Sequence, residues 1–143
     1  MTRMTAQDVL ALQQPKVPGG DKGWTTGDRK VLEADVQRAV VQLLKRHPAI
    51  AWVQRMNSRV VDVVDKKSKT GMRPMFMTFK GCPDVWAMLK GSGRLVVIEC
   101  KSSTGRLTDE QAAFLSLVNQ FGGLAFVARS ADDVLKHLPL KDS

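Results

Sequence analysis

The chain has 143 residues, 43% hydrophobic and 25% charged, which fits one globular domain and excludes a disordered or fibrous chain. Lys and Arg number 22 against 14 acids, a net charge of +8 that suits a polyanionic partner, an ordinary solvated surface being the alternative. No apolar run approaches the roughly 18 residues of a membrane span, and two cysteines are too few for a disulfide framework or a zinc site of their own.

Residues 1–28 read as an arm, with a short helix over Ala6–Gln13 followed by the Gly- and Pro-rich "PKVPGGDKGWTTGD" and Trp24 placed to pin it to the body. The opening "MTRMTAQDVLALQQ" lacks the continuous apolar core of a signal peptide, which points to the cytoplasm. The domain proper, 29–143, begins with a helix over Arg29–Arg46. Asp28 is its expected N-cap, Leu32, Val36, Val40 and Leu43 form an apolar stripe, and Pro48 ends it. Glu33 lies at the edge of that stripe.

"IAWVQRMN" alternates as a strand, and "RVVDVVDKKSKTGMRPMFMTF" as a hairpin with Lys66–Thr70 at the tip and Gly71 in the turn. Its methionines are expected in core packing or at a dimer surface. "GCPDVWAMLKGSGRLVVIECKSS" gives a second, more apolar hairpin. In "LTDEQAAFLSLVNQFGG" Thr108 and Gln111 make a capping box, Leu107 is set to staple onto Ala112, and Gly122-Gly123 stop the helix. "LAFVARS" is a buried strand, and a last helix capped by Ser130 ends at Pro139. His47 and His137 suit the ends of helices better than a metal. The order α-β-β-β-β-β-α-β-α predicts an α/β single-domain sandwich, a central mixed sheet with helices on both faces.

The second hairpin poses the chemical question. Glu99 and Lys101 share one face of a strand whose other face carries Val96, Ile98 and Cys100. Charges in a strand covered on both sides cost several kcal/mol unless compensated. A Glu–Lys pair is one compensation, although i and i+2 neighbours are awkward partners; a divalent metal on Glu99 and a second carboxylate is the other. A two-residue turn at Gly91-Ser92 sets Asp84 opposite Glu99, and a four-residue loop over Gly91–Arg94 sets it opposite Lys101. A three-residue loop sends it to the wrong face unless a bulge or the bend at Pro83 restores it. Oxygen ligands without His suggest Mg²⁺ or Mn²⁺. Between Asn57 and Arg106 ten basic residues face four acids, so this stretch holds +6 of the +8. Arg59, Lys66, Lys67, Lys69, Arg73, Lys80 and Arg106 are its candidate nucleic-acid contacts. A metal, a lysine and a basic surface together point to phosphodiester hydrolysis.

Pro83-Asp84, fourteen residues, then Glu99-Cys100-Lys101 matches the PD-(D/E)XK nuclease pattern, and "GCPDV … IECKSSTGRLTDEQ" resembles the VRR-NUC family within it. The resemblance runs from about Leu32 to Leu138 and implies a restriction-endonuclease-like fold. It implies that Asp84, Glu99 and the Cys100 carbonyl ligate the metal, with Glu33 near it directly or through water. Lys101 would be the catalytic lysine, and Gln111 would orient Lys101 or the scissile phosphate, although a capping box already accounts for Gln111. Stand-alone members of this size are similar to phage and bacterial homodimers that act on branched DNA such as four-way junctions, without an organic cofactor. Related domains act on flaps, and a non-catalytic binding module with the same fold is the alternative from another class.

Overall fold

A computed structural model describes residues 31–56 and 60–140, so the 1–28 arm with Asp28, Trp24 and the Ala6–Gln13 helix, together with Arg59, lies outside the described residues. Helix α1 (Glu33–Arg46) precedes strands β1 (Ile50–Arg55), β2 (Val60–Val64), β3 (Met72–Phe76), β4 (Val85–Leu89) and β5 (Leu95–Cys100), which are followed by α2 (Asp109–Gln120), β6 (Leu124–Ala128) and α3 (Ala131–His137). Their order is the one the sequence pattern predicts.

The main sheet runs β1-β4-β5-β6, with β5 and β6 parallel and the other pairs antiparallel. It is the mixed α/β sandwich expected. The helix α2 makes the crossover that parallel neighbours require. On one face, Val96, Ile98 and Cys100 of β5 pack with Val36, Val40, Leu43 and Leu44 of α1 and Val134 of α3. On the other, Val97 packs with Leu115 and Val118 of α2. Covered on both sides, the last five residues of β5 are buried, which explains a nearly unbroken apolar run ending in two charges.

Two expectations need correction. The first helix starts at Glu33, not Arg29, and Leu32 is 54% exposed rather than part of the stripe. The start is fixed from inside the helix: the Asp35 carboxylate reaches back and accepts the Leu32 N–H at 3.3 Å, so Leu32 is left extended. The second concerns the first hairpin. β2 and β3 form a separate two-stranded sheet, and Met72, Met75 and Met77 are exposed among the described residues, which sets aside core packing and leaves the surface alternative.

Smaller differences follow the same logic. Leu107 joins the cluster under α2 while Ala112 is exposed, so the expected staple is replaced by core packing. Ser130 is the N-cap of α3 but makes no side-chain cap; Asp133 accepts the Arg129 N–H instead, at 2.9 Å. His47 caps the end of α1, bonded to the Leu138 carbonyl at 2.8 Å and accepting the Ala49 N–H. Cys82 and Cys100 are both buried and not joined in a disulfide.

Candidate active site

Register decides which carboxylates meet. Val85 pairs with Ile98 and Met88 with Leu95, so continuing the ladder one step sets Asp84 opposite Glu99. This is the register of a two-residue turn at Gly91-Ser92, yet the connection is a looser loop, Lys90–Gly93, centred on the same residues. Gly91 and Gly93 both take positive φ (81 and 67), and the Leu89 carbonyl accepts from Gly93. The Asp84 carboxylate then reaches across the ladder and accepts the Cys100 N–H at 2.9 Å.

Alternation places Glu99 and Lys101 on the α2 side of the sheet, 1% and 7% exposed. Lys101 Nζ lies 3.1 Å from Glu99 Oε1. The i, i+2 ion pair that strand geometry makes awkward is therefore formed, just where β5 ends and Lys101 leaves the regular pleat. Glu33, at the first turn of α1, faces the same lysine at 4.0 Å. Carboxylate oxygens of Glu33, Asp84 and Glu99 all lie within 4.8 Å of one another.

Gln111 serves two purposes at once. Its amide oxygen accepts the Thr108 N–H at 2.9 Å, completing the capping box. Its amide nitrogen donates to Glu99 Oε1 at 2.8 Å, so it contacts Glu99 rather than Lys101. Both donors thus converge on Oε1, and the buried Oε2 has no hydrogen-bond partner among the described residues. Burial, and then the neighbouring Asp84 carboxylate, push the Glu99 carboxyl up from 4.5 to about 7, against the pull of Lys101.

These observations test whether a divalent metal fits. The three carboxylates and Lys101, all ionised, leave an excess of two negative charges, which one divalent cation would neutralise. The orphaned Oε2 offers a free lone pair, and the donors are hard oxygens suited to Mg²⁺ or Mn²⁺. The Cys100 side chain packs into the core, and burial pushes its thiol up, so that thiol is no ligand. The residues fit.

The described candidate DNA contacts fall on separate elements. Lys66, Lys67 and Lys69 lie at the β2–β3 tip, where Arg73 is held by Asp65 at 3.5 Å. Lys80 is paired with Glu110 at 2.6 Å beside the start of α2. Arg106 lies on the exposed approach to α2.

One residue near the site carries no signal in the sequence. Arg129, just past β6, donates through Nη1 to the carbonyls of Ser102 (2.5 Å) and Gly105 (2.7 Å). It closes the turn after Lys101, and a Cβ on Gly105 would lie 3.4 Å from the Lys101 stem. An arginine following a buried strand looks like any solvated cation, and its partners are more than twenty residues away in the chain.

Residues 30–132 match the family model described as VRR-NUC domain, well over half of the chain. No curated protein and no solved structure matches it significantly. Among the described residues, no helix is long and apolar enough to cross a membrane.

Proposed function

The chain belongs to the VRR-NUC domain family and so carries a nuclease domain; from that premise we propose a Mg²⁺- or Mn²⁺-dependent endodeoxyribonuclease that cuts branched DNA, above all four-way junctions, as a homodimer. The observation that carries this reading is the convergence of Glu33, Asp84 and Glu99 oxygens within 4.8 Å, with Lys101 against Glu99. Asp84 and Glu99 would hold the metal, with Glu33 beside them and the Cys100 carbonyl as a further donor. A bound divalent cation polarises a phosphate oxygen and makes water more acidic.

The chain's own groups account for the rest. Gln111 fixes the Glu99 carboxylate, and the Asp84 bond to the Cys100 N–H ties the two strands at the reacting end. Lys101 presents its ammonium to the charge that develops on the phosphate as water adds and the P–O bond to the leaving group breaks. The homodimer is supported by the apolar outer side of α2, where Leu117 and Phe121 are 47% and 78% exposed.

The test incubates a four-way junction, a flap and a linear duplex of matched sequence with Mg²⁺, Mn²⁺ or EDTA, beside Asp84→Ala and Lys101→Ala. Metal-dependent cutting at the junction, lost in both variants, is expected. Cutting in EDTA, or cutting untouched by both substitutions, overturns the mechanism. Preference for the flap moves the substrate, and junction binding without cleavage under any divalent metal makes the domain a binding module.

A further inference from the structure

The β2–β3 hairpin takes no part in the chemistry above, yet both its stems end at the acidic cluster. On one side the Met56 N–H donates to the Asp84 carbonyl at 2.7 Å, four residues before β2 begins. On the other, the segment after β3 is anchored by Phe79 against Trp86 and Phe114, and by Gly81, before it reaches Asp84 itself. Gly81 has φ 84, and a Cβ there would lie 2.7 Å from the Glu110 backbone, so α2 grips the stem where no side chain fits. The hairpin is rooted at the site, while among the described residues its strands pair only with each other.

Its surfaces say what it meets. An isolated two-stranded ribbon is marginal in water and gains from lying against something. Val60, Val64 and Met72 are 54%, 77% and 41% exposed. The tip is a built turn: Asp65 accepts the Lys67 N–H at 2.9 Å, and Ser68 Oγ donates to the Met72 carbonyl at 2.6 Å. Lys66, Lys67 and Lys69 project from this turn with no carboxylate in ion-pair reach among the described residues. A second copy of a +8 chain repels three unpaired lysines, whereas a phosphate backbone attracts them.

Resting on the DNA-cleaving reading of the site, we propose that the β2–β3 hairpin is a DNA-binding arm that lies along a duplex groove beside the cut phosphate. The tip lysines meet backbone phosphates, and Val64 and Met72 meet the sugar and base edges. Five residues per strand give a reach of about 17 Å, which spans about five base pairs, and a two-stranded ribbon fits a major groove.

The test measures binding of a fluorescein-labelled four-way junction in EDTA over about 50 to 300 mM KCl. The K66A/K67A/K69A variant is expected to flatten the plot of log affinity against log salt by about 2.7 per chain bound. The V64S/M72S variant is expected to weaken binding at every salt concentration with the slope unchanged. A lysine variant with wild-type affinity and slope overturns the arm. So does a V64S/M72S variant that binds DNA normally while sedimentation shows a dimer falling apart. Because binding in EDTA involves no turnover, a wild-type protein that cuts nothing sinks the hydrolase reading without altering this readout.

Discussion

Gln111 and Glu99 are joined across 2.8 Å, and the same Gln111 side chain closes the first turn of α2 by accepting the Thr108 N–H. A helix cap and a buried carboxylate therefore share one residue. Gln111→Ala is expected to cost about 1 kcal/mol of stability through the lost cap and about 10- to 100-fold in kcat/KM through the freed carboxylate. Gln111→Glu keeps a cap acceptor but sets a carboxylate against Glu99, so it should retain stability at pH 5 and still lose activity. Urea unfolding and cleavage kinetics on both variants separate the roles; a fully active Gln111→Glu contradicts the assignment.

The metal-free protein should lose stability as pH rises. Folded Glu99 keeps its proton up to about 7, while the unfolded carboxyl releases it near 4.5. Between those values the folded state binds more protons, so the stabilisation is complete below 4.5 and gone above 7. Thermal melts in EDTA from pH 4.5 to 8 should fall along this window, and Glu99→Gln should flatten the fall. Millimolar Mg²⁺ or Mn²⁺ should reverse it, because a cation that binds only the folded state stabilises it.

Lys101 supplies the nearest cation to Glu99, and both are buried. Lys101→Ala in EDTA should cost about 3 kcal/mol at pH 8, where an unpaired buried carboxylate remains. At pH 5, where Glu99 is protonated, the cost should be clearly smaller. Cleavage should fall by about 10³-fold at any pH. An equal loss of stability at both pH values would mean that the pair does not carry the effect.

Arg129 acts through the turn it closes. Arg129→Ala frees the Ser102 and Gly105 carbonyls, both close to solvent, so stability should change by less than about 1 kcal/mol. The loosened turn should let Lys101 wander, lowering kcat about 10-fold. KM and the metal-induced thermal shift should stay unchanged, and a rise in KM with kcat intact would place Arg129 in substrate binding instead.

Much of the candidate site's geometry was legible because it rests on local rules. Alternation put Glu99 and Lys101 on one face, one of the two workable hairpin registers set Asp84 opposite Glu99, and the Thr108–Gln111 spacing announced α2. The start of α1 was misread because Asp35, a residue inside the helix, provides the cap. For the Met-rich hairpin core packing and a surface role both stayed open, because β-patterning shows which residues share a face but not what covers it. The contact of Gln111 with Glu99 and the clamp of Arg129 depend on tertiary approach, which spacing along the chain does not encode.

β5 holds one more consequence. It turns the Cys100 sulfur into the core at 0% exposure while its neighbours Glu99 and Lys101 face the site, and Cys82 is shut in beside Pro83 at 4%. The two thiols of the chain therefore flank the carboxylate cluster and Lys101 from behind. A thiol-alkylating reagent should leave the native protein untouched and label both cysteines only when this end of the sheet comes apart. The labelling rate then becomes a clock for opening of the site, and its slowing by Mg²⁺ or Mn²⁺ would report how firmly a cation locks the strands together.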